Sequence, residues 1–236
     1  MKLKKGLTIN DLKIIAIIAM TIDHITAILL SNKVNIQIYF LLRAIGRITI
    51  PIMWFSMVEG YYHTGNIKRY IGRLLLFSII SHFAYTYAFK IPIIPKSIFF
   101  QTSVIWSLMW GLIALYISKK NNLKGWIKFI LIVLISILTY KADWGLVSIL
   151  VIVGMGRYRG NFTKQMVVLC VSVVLVETIK YVLTNNIWYQ LQLSMFLAIP
   201  ILAKYNGEKG KGSKYFFYAY YPLHLIILGL ISQFEI

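Results

Sequence analysis

The run KIIAIIAMTIDHITAILL (residues 13–30) sets an aspartate and a histidine side by side, Asp23 and His24, among mostly apolar side chains. A charge at the centre of a lipid-embedded helix costs about 2.5–3.5 kcal/mol on insertion scales, so it must be paired, wetted or useful. Adjacent helical residues project about 100° apart, and the two side chains cannot share one partner by simple stacking. Asp23 calls for a cation from a following helix. LLRAIGRITIP (41–51) offers Arg43 and Arg47, four apart and on one face, with Gly46 between them and a kink expected at Pro51. That pairing reads equally as a structural clamp. His24 titrates near neutrality, can pass protons and suits a general base; the plain alternative is a buried, neutral, hydrogen-bonded histidine.

A second group begins at EGYYHTGNIKRY (59–70), where Glu59 and His63 share a helical face and Gly65-Asn66 signals a turn. Lys68, Arg69 and Arg73 follow and would meet the phosphates of an anionic cofactor, or serve simply as loop cations. His82, in FSIISHFAYTYAF, is expected to approach His24 or line the same space. Asp143, in KADWGLVSIL, is expected to cap the next helix. Glu177 has Lys180 three residues on, an interface ion pair. In YFFYAYYPLHLIILGL, Tyr220 and His224 lie four apart, and Pro222 frees a carbonyl for a polar ligand. No Walker loop, dinucleotide fingerprint, HExxH, CxxC or GxSxG occurs, and the four histidines are dispersed, so no metal is expected. Cys170, the lone cysteine, forms no internal disulfide and reads as a small apolar residue.

These residues must be held by membrane helices. With 59% hydrophobic and 14% charged residues, mean hydropathy +0.73 and net charge +18, the 236-residue chain is no soluble enzyme or disordered basic tail. Its apolar runs are continuous rather than alternating, which excludes a porin-type barrel. The expected fold is all-α: a polytopic bundle forming one integral membrane domain over residues 1–236. Its nine spans fall near 11–30, 37–59, 70–89, 98–118, 125–140, 144–157, 165–184, 187–203 and 215–233. Alternate connections carry 17 basic residues on one side and 5 on the other, which orients the N-terminus toward the cytoplasm. The net charge is therefore a topology signal, and no nucleic-acid partner is expected. The opening MKLKKG lacks a small-residue cleavage site after its apolar run and reads as the start of a retained helix, with Thr8 and Asn10 offering capping oxygens. KYNGEKGKGSK (204–214) reads as a flexible cytoplasmic loop.

In this order, MTIDHI (20–25), LRAIGRITIPI and VEGYYHTGNIKRYIGRLLLFSIIS within 42–81, ADWGLVSILVI (142–152) and FYAYYPLHLIIL (217–228) resemble the TraX family of integral membrane proteins. The resemblance implies an acetyltransferase-like role, since the family's namesake is associated with acetylating pilin from acetyl-coenzyme A. On matching positions its polar motif residues are Asp23, His24, Arg43, Arg47, Glu59, His63, Asp143, Tyr220 and His224. Val147-Ser148 depart from the glycines that usually continue the aspartate motif.

Joined to that resemblance, the residues imply acyl transfer from cytoplasmic acetyl-coenzyme A to an exported peptide or glycan acceptor. Lys68, Arg69 and Arg73 would hold the cofactor and His24 would act as general base or transient acetyl carrier. Asp23 with Arg47 would fix the region, and His224 or Tyr220 would donate to the acyl oxygen. Two rivals stay open: a proton-coupled small-solute transporter and a non-catalytic assembly factor for exported peptides.

Overall fold

The computed structural model describes residues 5–31, 33–92, 103–212 and 214–234. Lys2, Lys4, Lys96 and Glu235, and the start of the span expected at 98–118, lie outside them. The described chain is helical, with one isolated parallel bridge between Leu7 and Tyr205 and no strand among the described residues. In chain order the helices are α1 (Ile9–Ile28), α2 (Ile36–Gly46), α3 (Thr49–His63), α4 (Ile67–Ala88), α5 (Val104–Ser118), α6 (Gly125–Leu138), α7 (Gly145–Arg157) and α8 (Phe162–Thr184). A composite segment follows: α9 (Trp188–Leu191), a 3-10 stretch (Gln192–Ala198) and α10 (Ile199–Leu202). The last helix is α11 (Lys214–Phe234).

Side-chain oxygens start several of these helices. Thr8 accepts from the Asp11 amide while the Asp11 carboxylate accepts from Thr8 N, a reciprocal cap. Asn35 and Asn66 cap α2 and α4 by accepting from Ile38 N and Arg69 N, each at 2.9 Å. Two boundaries depart from expectation. The second span breaks at Arg47-Ile48, ahead of Pro51, so the proline falls in the first turn of α3, where its missing N–H leaves no bond unmade. Helix α7 begins after Trp144, which is left-handed at φ 61°, and no side chain caps it; Asp143 instead contributes its carbonyl, which accepts from Ser107 Oγ at 2.7 Å.

The segments 36–63, 162–184 and 215–234 are long and apolar enough to cross a membrane. Helix α1 has the length but carries Asp11, Lys13 and Asp23. Large apolar side chains point outward along these helices, among them Phe129, Ile137, Val182 and Leu183. Water would penalise such faces, whereas lipid solvates them.

Two compact units emerge, with boundaries inside α3 and α8: Met1–Ser56 with Val173–Ile236, and Met57–Ser172. In the first, α1 packs on α2 at Gly46, where any Cβ would collide with the Asp23 side chain. The loop read as flexible is pinned to the start of α1 by backbone bonds. Leu7 N donates to Lys204 O (2.7 Å), Ile9 N to Glu208 O (2.9 Å), Asn10 N to Lys209 O (3.1 Å) and Asn206 N to Leu7 O (2.9 Å). Asn10, expected as a cap, donates its side-chain amide to Gly210 O at 3.1 Å. Gly207 and Gly210, at φ +84° and +75°, permit the tight turns this requires. In the second unit, α5 and α7 close on each other through glycine: Gly111 faces Ile152, and Gly156 faces Leu115.

Candidate functional site

In the first unit, α1 and α2 hold Asp23 between two guanidiniums. Arg47 Nη2 donates to both carboxylate oxygens at 2.7 and 3.0 Å, and Arg43 Nη1 stands 2.9 Å from Oδ1. Arg43 also donates to the Asp23 carbonyl (3.2 Å), and Arg47 Nε to the Arg43 carbonyl (3.2 Å). The three side chains are 8–19% exposed. Donors from two residues of α2 thus meet the carboxylate on two sides. Two guanidiniums thus face this one carboxylate.

His24, the next residue, faces α11 instead. Its Nδ1 lies 2.6 Å from His224 Nε2, with the rings stacked at 4.9 Å between centroids. His224 Nδ1 lies 2.8 Å from the Tyr220 carbonyl. A carbonyl only accepts, so His224 carries its proton on Nδ1. With both rings neutral, His224 Nε2 then accepts from His24 Nδ1–H, and the lone pair of His24 resides on Nε2. One turn below, Thr21 Oγ1 donates to Ile17 O (2.8 Å), so the Tyr220 hydroxyl at 2.7 Å donates to Thr21. The two groups expected to donate to an acyl oxygen thus have their protons engaged, His224 with Tyr220 O and Tyr220 with Thr21.

In the second unit, Glu59 is buried and receives Arg159 at two points, Nε to Oε1 (2.9 Å) and Nη2 to Oε2 (3.0 Å). His63 Nε2 stands 3.3 Å from the same carboxylate and 3.2 Å from Arg159 Nη2, with its side chain 55% exposed. The Arg159 guanidinium lies 4.5 Å over the Tyr62 ring, and Tyr62 Oη donates to Gly156 O at 2.7 Å. Lys68 and Arg69 are exposed on the first turn of α4, and Arg73 lies over Tyr70 at 5.7 Å. His82, also on α4, is buried edge-on to Phe83, with neither ring nitrogen hydrogen-bonded. On the part of α8 that belongs to the first unit, Glu177 and Lys180 pair at 2.9 Å, as their spacing suggested.

Sequence reasoning did not single out Arg159, Tyr62 or Thr21. Arg159 lies 100 residues from its carboxylate and looks like any other loop cation. Thr21 does sit in the TIDH run, and its three-residue spacing from His24 was the available signal.

Fold and site together define an all-α, multi-pass membrane protein with a buried aspartate–arginine–histidine constellation. The family described as TraX protein matches residues 8–232, and the chain belongs to that family. It is also 30% identical over 235 residues to a probable fimbrial assembly protein FimC, serogroup H1, of Dichelobacter nodosus, covering 95% of each chain. No solved structure matches it.

Proposed function

We propose that this protein is a membrane-embedded acyltransferase, which moves acetyl from cytoplasmic acetyl-coenzyme A to an amine or hydroxyl of an exported peptide or surface glycan. The fimbrial assembly relative favours an exported, pilin-like peptide among those acceptors. The N-terminus is cytoplasmic in this reading, in line with the lopsided lysines and arginines.

The observation that carries the proposal is the directed hydrogen-bond chain that runs from the Tyr220 carbonyl through His224 to His24. The Tyr220 carbonyl fixes His224, His224 fixes His24, and the base is left as a single tautomer with its lone pair on Nε2. The acceptor gives its proton to that nitrogen as it attacks the thioester carbonyl. The tetrahedral intermediate collapses, the C–S bond breaks, and His24 returns the proton to the departing thiolate. Negative charge on the acyl oxygen is stabilised by the guanidiniums of Arg43 and Arg47 grouped around Asp23. His224 is therefore a positioning residue, and Tyr220 with Thr21 braces the turn below it. Lys68 and Arg69 are exposed cations at the start of α4 and Arg73 lies half-buried over Tyr70, within the second unit. Asp143, Glu59, His63 and His82 serve the scaffold.

The test follows labelled acetyl transfer from acetyl-coenzyme A in membranes, with wild type and His24→Ala. Turnover should fall by about 10²–10⁴ while the variant retains its unfolding temperature. Undiminished transfer by folded His24→Ala removes the histidine from the chemistry. A second reading, a non-catalytic assembly factor, is favoured by the relative's name; it is upheld if His24→Ala still supports assembly of exported fibres and no acetyl is ever transferred.

A further inference from the structure

Lys13 is a cation that the scheme so far leaves unused. It lies on α1, eleven residues before His24 and three helical turns away, so both side chains point in nearly one direction. Its ammonium does not turn outward with Ile14 and Ile18, the exposed ridge of α1. It sits 5.2 Å from the centre of the Phe217 ring on α11. Above it, the same two helices meet again at Thr21–Tyr220 and at His24–His224. A single seam thus runs from Lys13 to the histidine pair. Its length is about 10 Å measured along α11 from Phe217 and about 16 Å measured along α1.

Among the described residues no carboxylate pairs with Lys13. Asp11 is occupied with Thr8, Asp23 with the two arginines, and Glu177 with Lys180. The neighbour within electrostatic reach is another cation, Lys209. That lysine is not on a wandering tether, since its own carbonyl accepts from Asn10 N and the adjacent Glu208 carbonyl from Ile9 N. Bringing two ammonium groups together at the edge of a low-dielectric seam is unfavourable unless an anion joins them. The helix terminus does not provide that function, because the first amides of α1 are already bonded to the loop and to Thr8.

We infer that Lys13 and Lys209 seat the phosphates of the acyl donor, whose pantetheine arm lies along the α1–α11 seam with its thioester at His24. This rests on the acyl-transfer reading and names where the donor binds on the unit that holds the base. A flexible, mostly apolar arm with anionic phosphates at one end and a reactive carbonyl at the other matches a seam with cations at one end and a base at the other. An anionic lipid headgroup presents the same phosphate chemistry without the arm.

The experiment measures binding of coenzyme A, and of pantetheine as its phosphate-free counterpart, to full-length protein in phosphatidylcholine nanodiscs. Lys13→Ala and Lys209→Ala should each weaken coenzyme A by about tenfold or more, leave pantetheine unchanged, and shrink the salt dependence of binding; Lys13→Arg should restore it. Lys209 is exposed on a loop, so its variant decides the matter if Lys13→Ala does not fold. Equal losses for coenzyme A and pantetheine, or variants within twofold of wild type, overturn the assignment while acyl transfer survives. So does a variant that changes only the retention of phosphatidylglycerol. Wild type that binds neither coenzyme A nor its acetyl thioester overturns the acyl-transfer reading itself.

Discussion

Each unit carries a buried carboxylate gripped by a guanidinium and accompanied by a histidine, yet the two clusters are wired differently. Glu59 receives Arg159 in a two-point grip, and His63 stands against the same pair while half in solvent. Asp23 takes two arginines, and His24 makes no bond to the carboxylate beside it; its ring is given to a second histidine. The first arrangement closes on itself, as a latch does; the second hands its histidine on to another helix, as the proposed acyl transfer needs. The contrast teaches that a shared residue inventory does not fix how a cluster is wired, whereas the destination of each hydrogen bond does.

Removing the carboxylates should separate the clusters most. Asp23→Ala leaves two largely buried guanidiniums facing each other and is expected to cost about 3–5 kcal/mol. Glu59→Ala should cost about 1–3 kcal/mol, because Arg159 is one-third exposed and can turn to water. Thermal unfolding in nanodiscs compares them; equal losses would erase the distinction. Next comes His224. His224→Ala should lower acetyl transfer about 10- to 100-fold and alter its pH profile, while His224→Gln, whose amide oxygen can accept from His24 Nδ1, should recover most of it. Isotope-edited histidine spectra that show no change of His24 tautomer in His224→Ala would refute the relay. Gly46→Ala should destabilise by about 1–3 kcal/mol through collision with Asp23. An unaffected melting curve would mean α1 and α2 do not meet so closely. The smallest change is Arg159→Lys, which keeps the charge but loses the fork and should cost about 1 kcal/mol or less, with transfer untouched. A large drop in transfer would move the second cluster into the chemistry.

Local patterning carried part of this architecture. The four-residue spacing of Arg43 and Arg47 sufficed to predict the Asp23 clamp, and Glu59 with His63 was readable in the same way. Gly46 signalled close approach correctly. What periodicity does not encode is which distant segment completes each group. Arg159 reaches Glu59 across 100 residues and His224 reaches His24 across 200. The break before Pro51 was displaced because the proline's geometric conflict falls on the carbonyl four residues earlier, at position 47. The glycine-rich connector looked mobile by composition, yet its left-handed glycines are what let its carbonyls meet the first turn of α1.

That stapled connector also sets a schedule for biogenesis. Asp23 finds its arginines within 24 residues of emerging, so the first two helices can enter the bilayer as a hairpin with that charge already answered. The amides at the threshold of α1 wait for carbonyls made nearly two hundred residues later, and His24 waits for α11. Until α11 has been made, the polar stripe of the first helix needs a substitute companion, from the insertion machinery or from water. A chain truncated before position 203 would therefore be expected to stall as a substrate for membrane quality control.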